Sequence, residues 1–584
     1  MWTIDFETEA IEGNPTLTPP VPVGVALHSD TTQAEYSPIK EGAPILERIW
    51  AGNESLIFHN APFDLAVAEA HLGLPMPHWD RIHDTQYLVY LADPYAKTLG
   101  LKACAERYLD LPPEEQDHLK AWILANVPGS TPKNYGAHIS KAPFELVKPY
   151  AIGDVVRTRE LFNLLWPEMP RGAYDRERRC MPMFQEATRK GVRVDGEGLE
   201  RDLEIYNNAE AECEQLIARR LDYRGDPELL KGAALCDALE AAGIVKPNDW
   251  IKTAKSGARS TSKDNIIKVI KDPEVLAMLQ YKGVLSTILQ TFMRPWWAKS
   301  AVDGRLHPNW NQVRDTARNK GTRTGRLSSD SPNFQNVIKR FDVPPVTGLP
   351  DLPHMRKYLL PEEGHVWVMR DFSGQELRIG AHYEDGPLMQ AYQANPQLDP
   401  HEMARVIIRD EFGVDLERKD VKITAFRIMY GGGAPAIAGA LGITVPEGAA
   451  LKAQYLGAMG GLKSLMDRVS SRGRSGQHIT TWGGRNYYAE ARDKAYKLTN
   501  YLIQGSAADQ TKQCCADWYY EHRRPQDVFM ATVHDEINIS VPEEEIEQGM
   551  TQLRSAMDQD FFDVPMASEG AIGPNWHNME GWDD

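Results

Sequence analysis

Apolar and polar residues alternate at the start of the chain: Trp2, Ile4 and Phe6 are interleaved with Thr3, Asp5 and Glu7. A period of two belongs to a β-strand, which sends Asp5 and Glu7 to one face and the apolar three into a core. A second short apolar run, SLIF, predicts another strand, and helical periodicity follows. That periodicity stops at WPEMPRG (166–172), where two prolines and a glycine interrupt it. A charged helical stretch covers about 197 to 222, and mixed helix and loop continue to residue 300. The proline-rich segment VPPVTGLPDLP (343–353) precedes the strand-like run VWVM. After residue 376 the pattern is mainly helical to about 515, and 528–541 reads as strand, turn, strand. These breaks predict an N-terminal α/β domain of about 167 residues and a larger α+β body whose strands lie far apart in sequence.

The 584 residues allow several domains, and 42% hydrophobic with 25% charged residues is the balance of a soluble globular protein. The N-terminus lacks the basic stretch and apolar core of a signal peptide. No run of about 18 apolar residues is present to cross a bilayer. The cysteines (Cys104, Cys180, Cys213, Cys236, Cys514, Cys515) form no CxxC pair. That argues against zinc and a disulfide framework, and for a reducing cytoplasm. The net charge of −17 is unusual for a nucleic-acid protein, but the charge is uneven. Residues 313–340 carry Arg314, Arg318, Lys320, Arg323, Arg326, Lys339 and Arg340 against two acidic side chains. Residues 252–268 carry Lys252, Lys255, Arg259, Lys263 and Lys268 against Asp264 alone. A phosphate backbone meets such local fields within a Debye length, although either stretch also fits a solvated surface.

Two acidic clusters bear the chemistry. Asp5 and Glu7, side by side on one strand face, repel each other unless a cation holds them; an ordinary exposed strand face is the alternative. HNAPFDLA adds Asn60 and Asp64, and YAIGD places Tyr150 and Asp154 on one face of a helix. The order and separation of these residues resemble the three motifs of the DnaQ-like 3′→5′ exonucleases of the DEDDy type. The likeness spans residues 1 to about 165, including DTQYLVYLADP and TLGLKACAERYL. It implies a ribonuclease H-like α/β domain in which Asp5, Glu7, Asp64 and Asp154 hold two metal ions about 4 Å apart. Tyr150 would help orient the attacking water.

The second cluster begins with VWVMRDFSGQELR, an apolar strand that ends on Asp371. It continues in ATVHDEINISV, two strands joined through His534, Asp535 and Glu536. A solvated hairpin is the plainer reading of the turn alone. In ERKDVKITAFRIMYGGG, Arg418, Lys422, Phe426 and Tyr430 recur every four residues as a helical stripe, and Gly431 to Gly433 offer positive φ to close it. Such a stripe suits a triphosphate and a base; an amphipathic surface helix is again the alternative.

Together these segments resemble motifs A, B and C of the family A DNA polymerases, the group of bacterial DNA polymerase I and many phage enzymes. TGRLSSDSPNFQNV, RKYLLPEEG, DPHEMA and NYLIQGSAADQ support the likeness, which covers nearly the whole chain. It implies a right-hand α+β polymerase after the exonuclease domain. Residues 1–167 would form the exonuclease and 168–584 the polymerase, with a thumb near 190–300, a palm near 301–376 and 505–584, and fingers near 377–504. Asp371 and Asp535 would bind metal with Glu536 beside them. Arg418 and Lys422 would hold the triphosphate, with Lys422 as proton donor, while Phe426, Tyr430 and His401 flank the nucleotide. Arg326, Asn500, Gln504 and His534 would contact primer-template DNA. Glu376 would exclude a ribose 2′-OH, and Ser373 to Glu376 also reads as a capping box.

The implied cofactor is Mg2+, two per active site, with Mn2+ as substitute. The implied partners are primer-template DNA and dNTPs, with helicase, primase or single-strand-binding protein in a replicative role. The expectation is a monomer in a bacterial or phage-infected cytoplasm, with no membrane. KTAKSGARSTSKDN (252–265) resembles the thumb-tip segment PGGxPST and puts Lys255, Arg259 and Lys263 on duplex phosphates. The compact thumb leaves no room for a thioredoxin-binding insertion, and motifs that begin at residue 5 leave none for a 5′-nuclease. Phe372, Gly374 and Gln375 depart from the Tyr, Gln and Ile common in motif A. Arg370 stands unusually before Asp371, 343–353 looks inserted, and Tyr496 replaces a basic residue. A single-subunit RNA polymerase is disfavoured by the exonuclease motifs and Glu376, and a binding protein with degenerate sites by the complete carboxylate sets.

Overall fold

The computed structural model describes residues 1–341 and 343–583. Alternation at the N-terminus becomes the strand Trp2–Thr8, the centre of a five-stranded sheet. Pro22–Ser29 and Glu35–Pro38 lie antiparallel on one side of it, and Leu56–Phe58 and Ile82–Asp84 parallel on the other. Ile4 and Phe6 enter the core with Val25, Leu27 and Leu56 to Phe58. The opposite face is covered as well, by the helix Phe144–Leu165, so Thr3 and Glu7 are also buried. That helix ends at Leu165, and Arg171–Lys190 starts after the proline-rich break.

A second five-stranded sheet is antiparallel throughout. Its order is Val528–Val533, Glu536–Pro542, His365–Phe372, Ser568–Gly573, Glu580–Trp582. One face buries Val368, Phe372, Ile537 and Ile539 under the helices Ile546–Met557 and Leu498–Asp517. Arg370 points to this face too. It is fully buried, with Nε donating to Ser568 Oγ at 2.9 Å, and so stands on the opposite side of the sheet from its neighbour Asp371.

The helices Gly196–Arg220 and Pro273–Ile288 pack together, and a cleft of about 1240 Å3 opens beside them, away from both carboxylate clusters. The proline-rich segment 343–353 is clamped against this pair. Tyr206 Oη donates to the Asp351 carbonyl at 2.9 Å and Tyr281 Oη to the Pro350 carbonyl at 2.8 Å. From Gln375 to Leu441 and on to Arg474 the chain is helical. No single helix among the described residues is long and apolar enough to cross a membrane. The apolar pair Ala434–Leu441 and Val445–Ala458 is bent by 108° and buries Ile437, Leu451 and Tyr455 in the core of this layer.

All six cysteines are free and buried. A charged cluster joins the parts: Glu177, Arg485, Asp509 and Lys512 are all buried, with Arg485 Nε 2.8 Å from Asp509 and Lys512 Nζ 2.6 Å from Glu177.

Two candidate carboxylate centres

The first centre is assembled by one strand and two helices. Ligand oxygens of Asp5, Glu7 and Asp154 all lie within 4.8 Å of one another. Asp64, in the first turn of Ala61–Leu72, is buried beside them, and its Oδ1 accepts the Phe6 N–H at 3.1 Å. Four carboxylates crowded out of water resist ionisation. Burial, then the Asp154 charge, pushes Asp5 up to about 7, and burial first raises Glu7, Asp64 and Asp154 as well. Two cations answer part of this. Lys102 donates to Asp154 Oδ2 and lies over the Tyr150 ring at 4.0 Å, and Arg157 stands 3.8 Å from Asp154 Oδ1. Asp154 Oδ1 is nevertheless a buried oxygen without a hydrogen-bond partner. An all-oxygen donor set with an orphaned acceptor fits a hard divalent cation, which would lower all four pKa values together.

Asp84 was not singled out by sequence, yet it sets this geometry. Its carboxylate accepts the N–H groups of Asn60 (3.1 Å), Ala61 (2.8 Å) and Gln86 (2.8 Å), fixing the start of the helix that bears Asp64. Asn60 takes φ 79° there. The three donors hold Asp84 to about 6 against the upward push of burial. Its signal in the sequence is only the Asp before a helical run in IHDTQ.

The second centre lies at one end of the antiparallel sheet. Asp371 pairs in register with Glu536 on one side and Glu569 on the other, so three carboxylates stand abreast on one face. Asp535 is the second residue of a two-residue turn between Val533 and Glu536. The first, His534, takes φ 60°, a place usually given to glycine, and is a local strain worth about 1–3 kcal/mol. The Phe372 N–H donates to the Asp535 carbonyl at 3.3 Å, holding the turn against the strand end. Burial, then Asp535 and Glu536, pushes Asp371 up to about 7, and burial raises Asp535. Asp371 Oδ1 is buried and unpartnered, the same mark as at the first centre. Glu536 differs: its Oε1 accepts from Asn538 (2.9 Å) and Trp576 (2.8 Å), so one oxygen is already committed.

Beside this centre runs the helix Arg418–Met429. Arg418 is its first residue and donates to Asp399 at 2.5 Å, while Lys422 is exposed. His401, Phe426 and Tyr430 form a file of rings with successive centroids 6.0 Å apart. Tyr430 falls one residue past the helix end and is 44% exposed. Of the three following glycines only Gly431 has positive φ, contrary to the expectation for all three. Gly432 is small for another reason, since a Cβ there would lie 2.6 Å from the Arg427 carbonyl.

Glu376 is buried and pairs with Arg326, and burial raises its pKa against that cation. The expected capping box does not form. Gly374 at φ 70° turns Ser373 away, and its Oγ donates to Glu569 at 2.8 Å. Gln375 is buried and donates to Gln510 at 2.9 Å, tying its helix to Leu498–Asp517, which carries the half-buried Asn500 and Gln504. Tyr496 packs on Gly431, where a Cβ would meet its ring at 2.9 Å. At residues 252–265 Lys255 and Lys263 are exposed. Arg259 is paired at the surface, 2.6 Å from Asp237 and 2.7 Å from Glu240, both on the helix Gly232–Ala241.

Known proteins match the two parts of the chain that carry these centres. Residues 4–170 match the family model of a 3′-5′ exonuclease, and residues 206–578 that of DNA polymerase family A. The chain is 24% identical to a DNA polymerase DpoZ of Salmonella phage PMBT28, over 95% of this chain and 94% of that one. It is 26% identical to a DNA polymerase I of Chloroflexus aurantiacus, over 98% of this chain and 61% of that one. In structure it is similar to the POL domain of Pol1 from M. smegmatis, solved as a complex with DNA primer-template and dNTP. The TM-score is 0.76 at 20% identity, with 99% of this chain and 95% of that one covered.

Proposed function

The chain belongs to DNA polymerase family A and carries a 3′–5′ exonuclease domain, and from that membership we propose how its residues divide the two activities. Residues 1–167 form the exonuclease unit and 168–584 the polymerase unit, with thumb, palm and fingers near the bounds expected from sequence. The break between the helices ending at Leu165 and starting at Arg171 supports this division. Asp5, Glu7, Asp64 and Asp154 act on a single-stranded 3′ end, with Tyr150 oriented by its place one turn before Asp154. Asp371 and Asp535 serve primer extension. A divalent pair, Mg2+ or Mn2+, held by these carboxylates would neutralise developing charge and align the nucleophile.

The protein's own residues do the rest. Arg418 and Lys422 grip the triphosphate as the primer 3′-hydroxyl gives its proton to solvent and its oxygen bonds to the α-phosphorus. The bridging oxygen leaves with pyrophosphate, and Lys422 gives it a proton. His401, Phe426 and Tyr430 wall the sugar and base, and Glu376 crowds the position of a 2′-hydroxyl. Arg326, Asn500, Gln504 and His534 face primer-template DNA, and Lys255 and Lys263 meet the duplex phosphates. The chain works as a cytoplasmic, replicative monomer alongside helicase, primase or single-strand-binding protein.

The observation that carries the two-centre reading is the orphaned carboxylate oxygen in each cluster, Asp154 Oδ1 and Asp371 Oδ1. The test pairs Asp5→Ala/Glu7→Ala with Asp371→Ala, each assayed for single-strand digestion and primer extension with Mg2+, with Mn2+ and with chelator. The first variant loses digestion alone and the second extension alone. Loss of both activities in either variant, with folding unchanged, would defeat the division.

A further inference from the structure

The loop 312–327 belongs in sequence to the polymerase unit, yet the exonuclease helix Thr85–Ala92 holds it. Tyr87 Oη donates to Gln312 Oε1 at 3.1 Å, and Tyr90 Oη donates to the Thr322 carbonyl at 2.8 Å. The Ala317 N–H donates to the Lys97 carbonyl at 2.9 Å, and Val313 packs against the exonuclease core. The line then continues toward the nucleotide site. Thr322 Oγ1 donates to the Arg326 carbonyl at 2.7 Å, and the Arg326 guanidinium pairs with Glu376.

The loop has little freedom to yield along this line. Gly321 at φ 66° approaches Val313 so closely that a Cβ would lie 1.9 Å from its carbonyl oxygen. Gly325 at φ 84° sits against Arg485, with a Cβ position 2.7 Å from the guanidinium. From the polymerase side Tyr487 Oη donates to the Arg323 carbonyl at 3.0 Å. Between these two tight turns, Tyr90 and Tyr487 fix adjacent carbonyls from opposite domains. Tyr90 itself is buried, and removing its hydroxyl takes one hydrogen bond from the half-buried Thr322 carbonyl.

We propose that Tyr90 of the exonuclease unit is a positioning residue for the polymerase nucleotide site: through Thr322 and Arg326 it sets where Glu376 stands. The inference rests on the assignment of Arg326 and Glu376 above. It makes the exonuclease unit a structural support of polymerisation, independent of whether its own carboxylates are active.

The experiment measures single-nucleotide incorporation of dNTP and rNTP by wild type, Tyr90→Phe, Arg326→Ala and the double variant, with single-strand digestion as a second readout. Phenylalanine keeps the ring and removes one hydrogen bond. Tyr90→Phe raises the KM for dNTP about fivefold and relaxes ribonucleotide rejection, in keeping with one lost hydrogen bond. Its kcat and its digestion of single strands stay within about twofold of wild type. In the Arg326→Ala background Tyr90→Phe adds nothing further, because it acts through that residue. Unchanged KM and rejection in Tyr90→Phe, or effects that multiply with those of Arg326→Ala, would overturn the inference alone. Digestion and extension falling in parallel, with a lower melting temperature, would make Tyr90 a folding residue and overturn it as well. If Arg326→Ala itself leaves KM and rejection untouched, the site assignment fails, and the inference with it.

Discussion

Replacing Arg485 with methionine will cost this protein far more stability than removing a surface ion pair. Arg485 is 3% exposed, its Nε donating to Asp509 Oδ1 at 2.8 Å and its guanidinium pairing with Glu177. Glu177 keeps Lys512 at 2.6 Å after the substitution. Asp509, wholly buried, keeps among the described residues only Arg176 at 3.7 Å and the Thr481 hydroxyl at 3.4 Å. Removing one partner of a buried pair costs about 3–5 kcal/mol, whereas an exposed pair is worth about 0–1. Because one of the two carboxylates retains its lysine, the lower end applies, about 3 kcal/mol. Urea unfolding followed by tryptophan fluorescence reads this change, with Trp482 as a local reporter 5.1 Å from the Arg176 guanidinium.

Arg485→Met/Asp509→Asn, which removes both charges, should recover part of the loss. Lys512 and Arg485 outweigh burial and hold Glu177 below the ordinary Glu range. A carboxyl lowered by folding stabilises above its unfolded pKa and loses that as pH falls through its folded one. The wild-type advantage is therefore full near neutrality and fades in acid. A loss below about 1 kcal/mol in the single variant, or a double variant worse than the sum of the two, would refute the reasoning.

Three further outcomes are expected. With chelator present, Asp5 and Asp371 are raised to about 7, so their contribution to stability is present in acid and lost as pH rises through neutrality. The melting temperature of the metal-free protein should therefore fall from pH 5 to pH 8, and added Mg2+ should remove that fall; a flat profile counts against the crowded carboxylates. Phe426 offers no hydroxyl to the nucleotide sugar, so wild type should reject dideoxynucleotides, and Phe426→Tyr should accept them better by about two orders of magnitude or more in competitive incorporation. Equal use by wild type would refute this. Lys255→Ala/Lys263→Ala should weaken primer-template binding and reduce the salt slope by about 2, roughly one per phosphate, while Arg259→Ala, tied to Asp237 and Glu240, should leave the slope unchanged.

Local periodicity determined a good deal by itself. Two-residue alternation puts Asp5 and Glu7 on one strand face, and four-residue spacing puts Tyr150 over Asp154 on a helix. Two strands with a short polar turn put His534 and Asp535 at the tip of a hairpin. The prolines of 166–170 end one helix before the next begins. These features follow from backbone geometry, in which each residue's direction depends on its near neighbours.

Tertiary structure alone decided which partner each side chain keeps. Ser373 had the spacing of a capping box but bonds Glu569, almost two hundred positions away, because β pairing lays that carboxylate beside it. Arg259 stands in a basic stretch of sequence, but its partners Asp237 and Glu240 come from a helix that only the fold brings beside it. Lys102 reaches Asp154 and Tyr90 reaches Thr322 across separations that no periodicity spans. A sequence names the groups able to bond; packing and register bring particular groups within 3 Å of one another. Competition among those neighbours settles the pairing, since a buried donor or acceptor left alone costs about 1–3 kcal/mol.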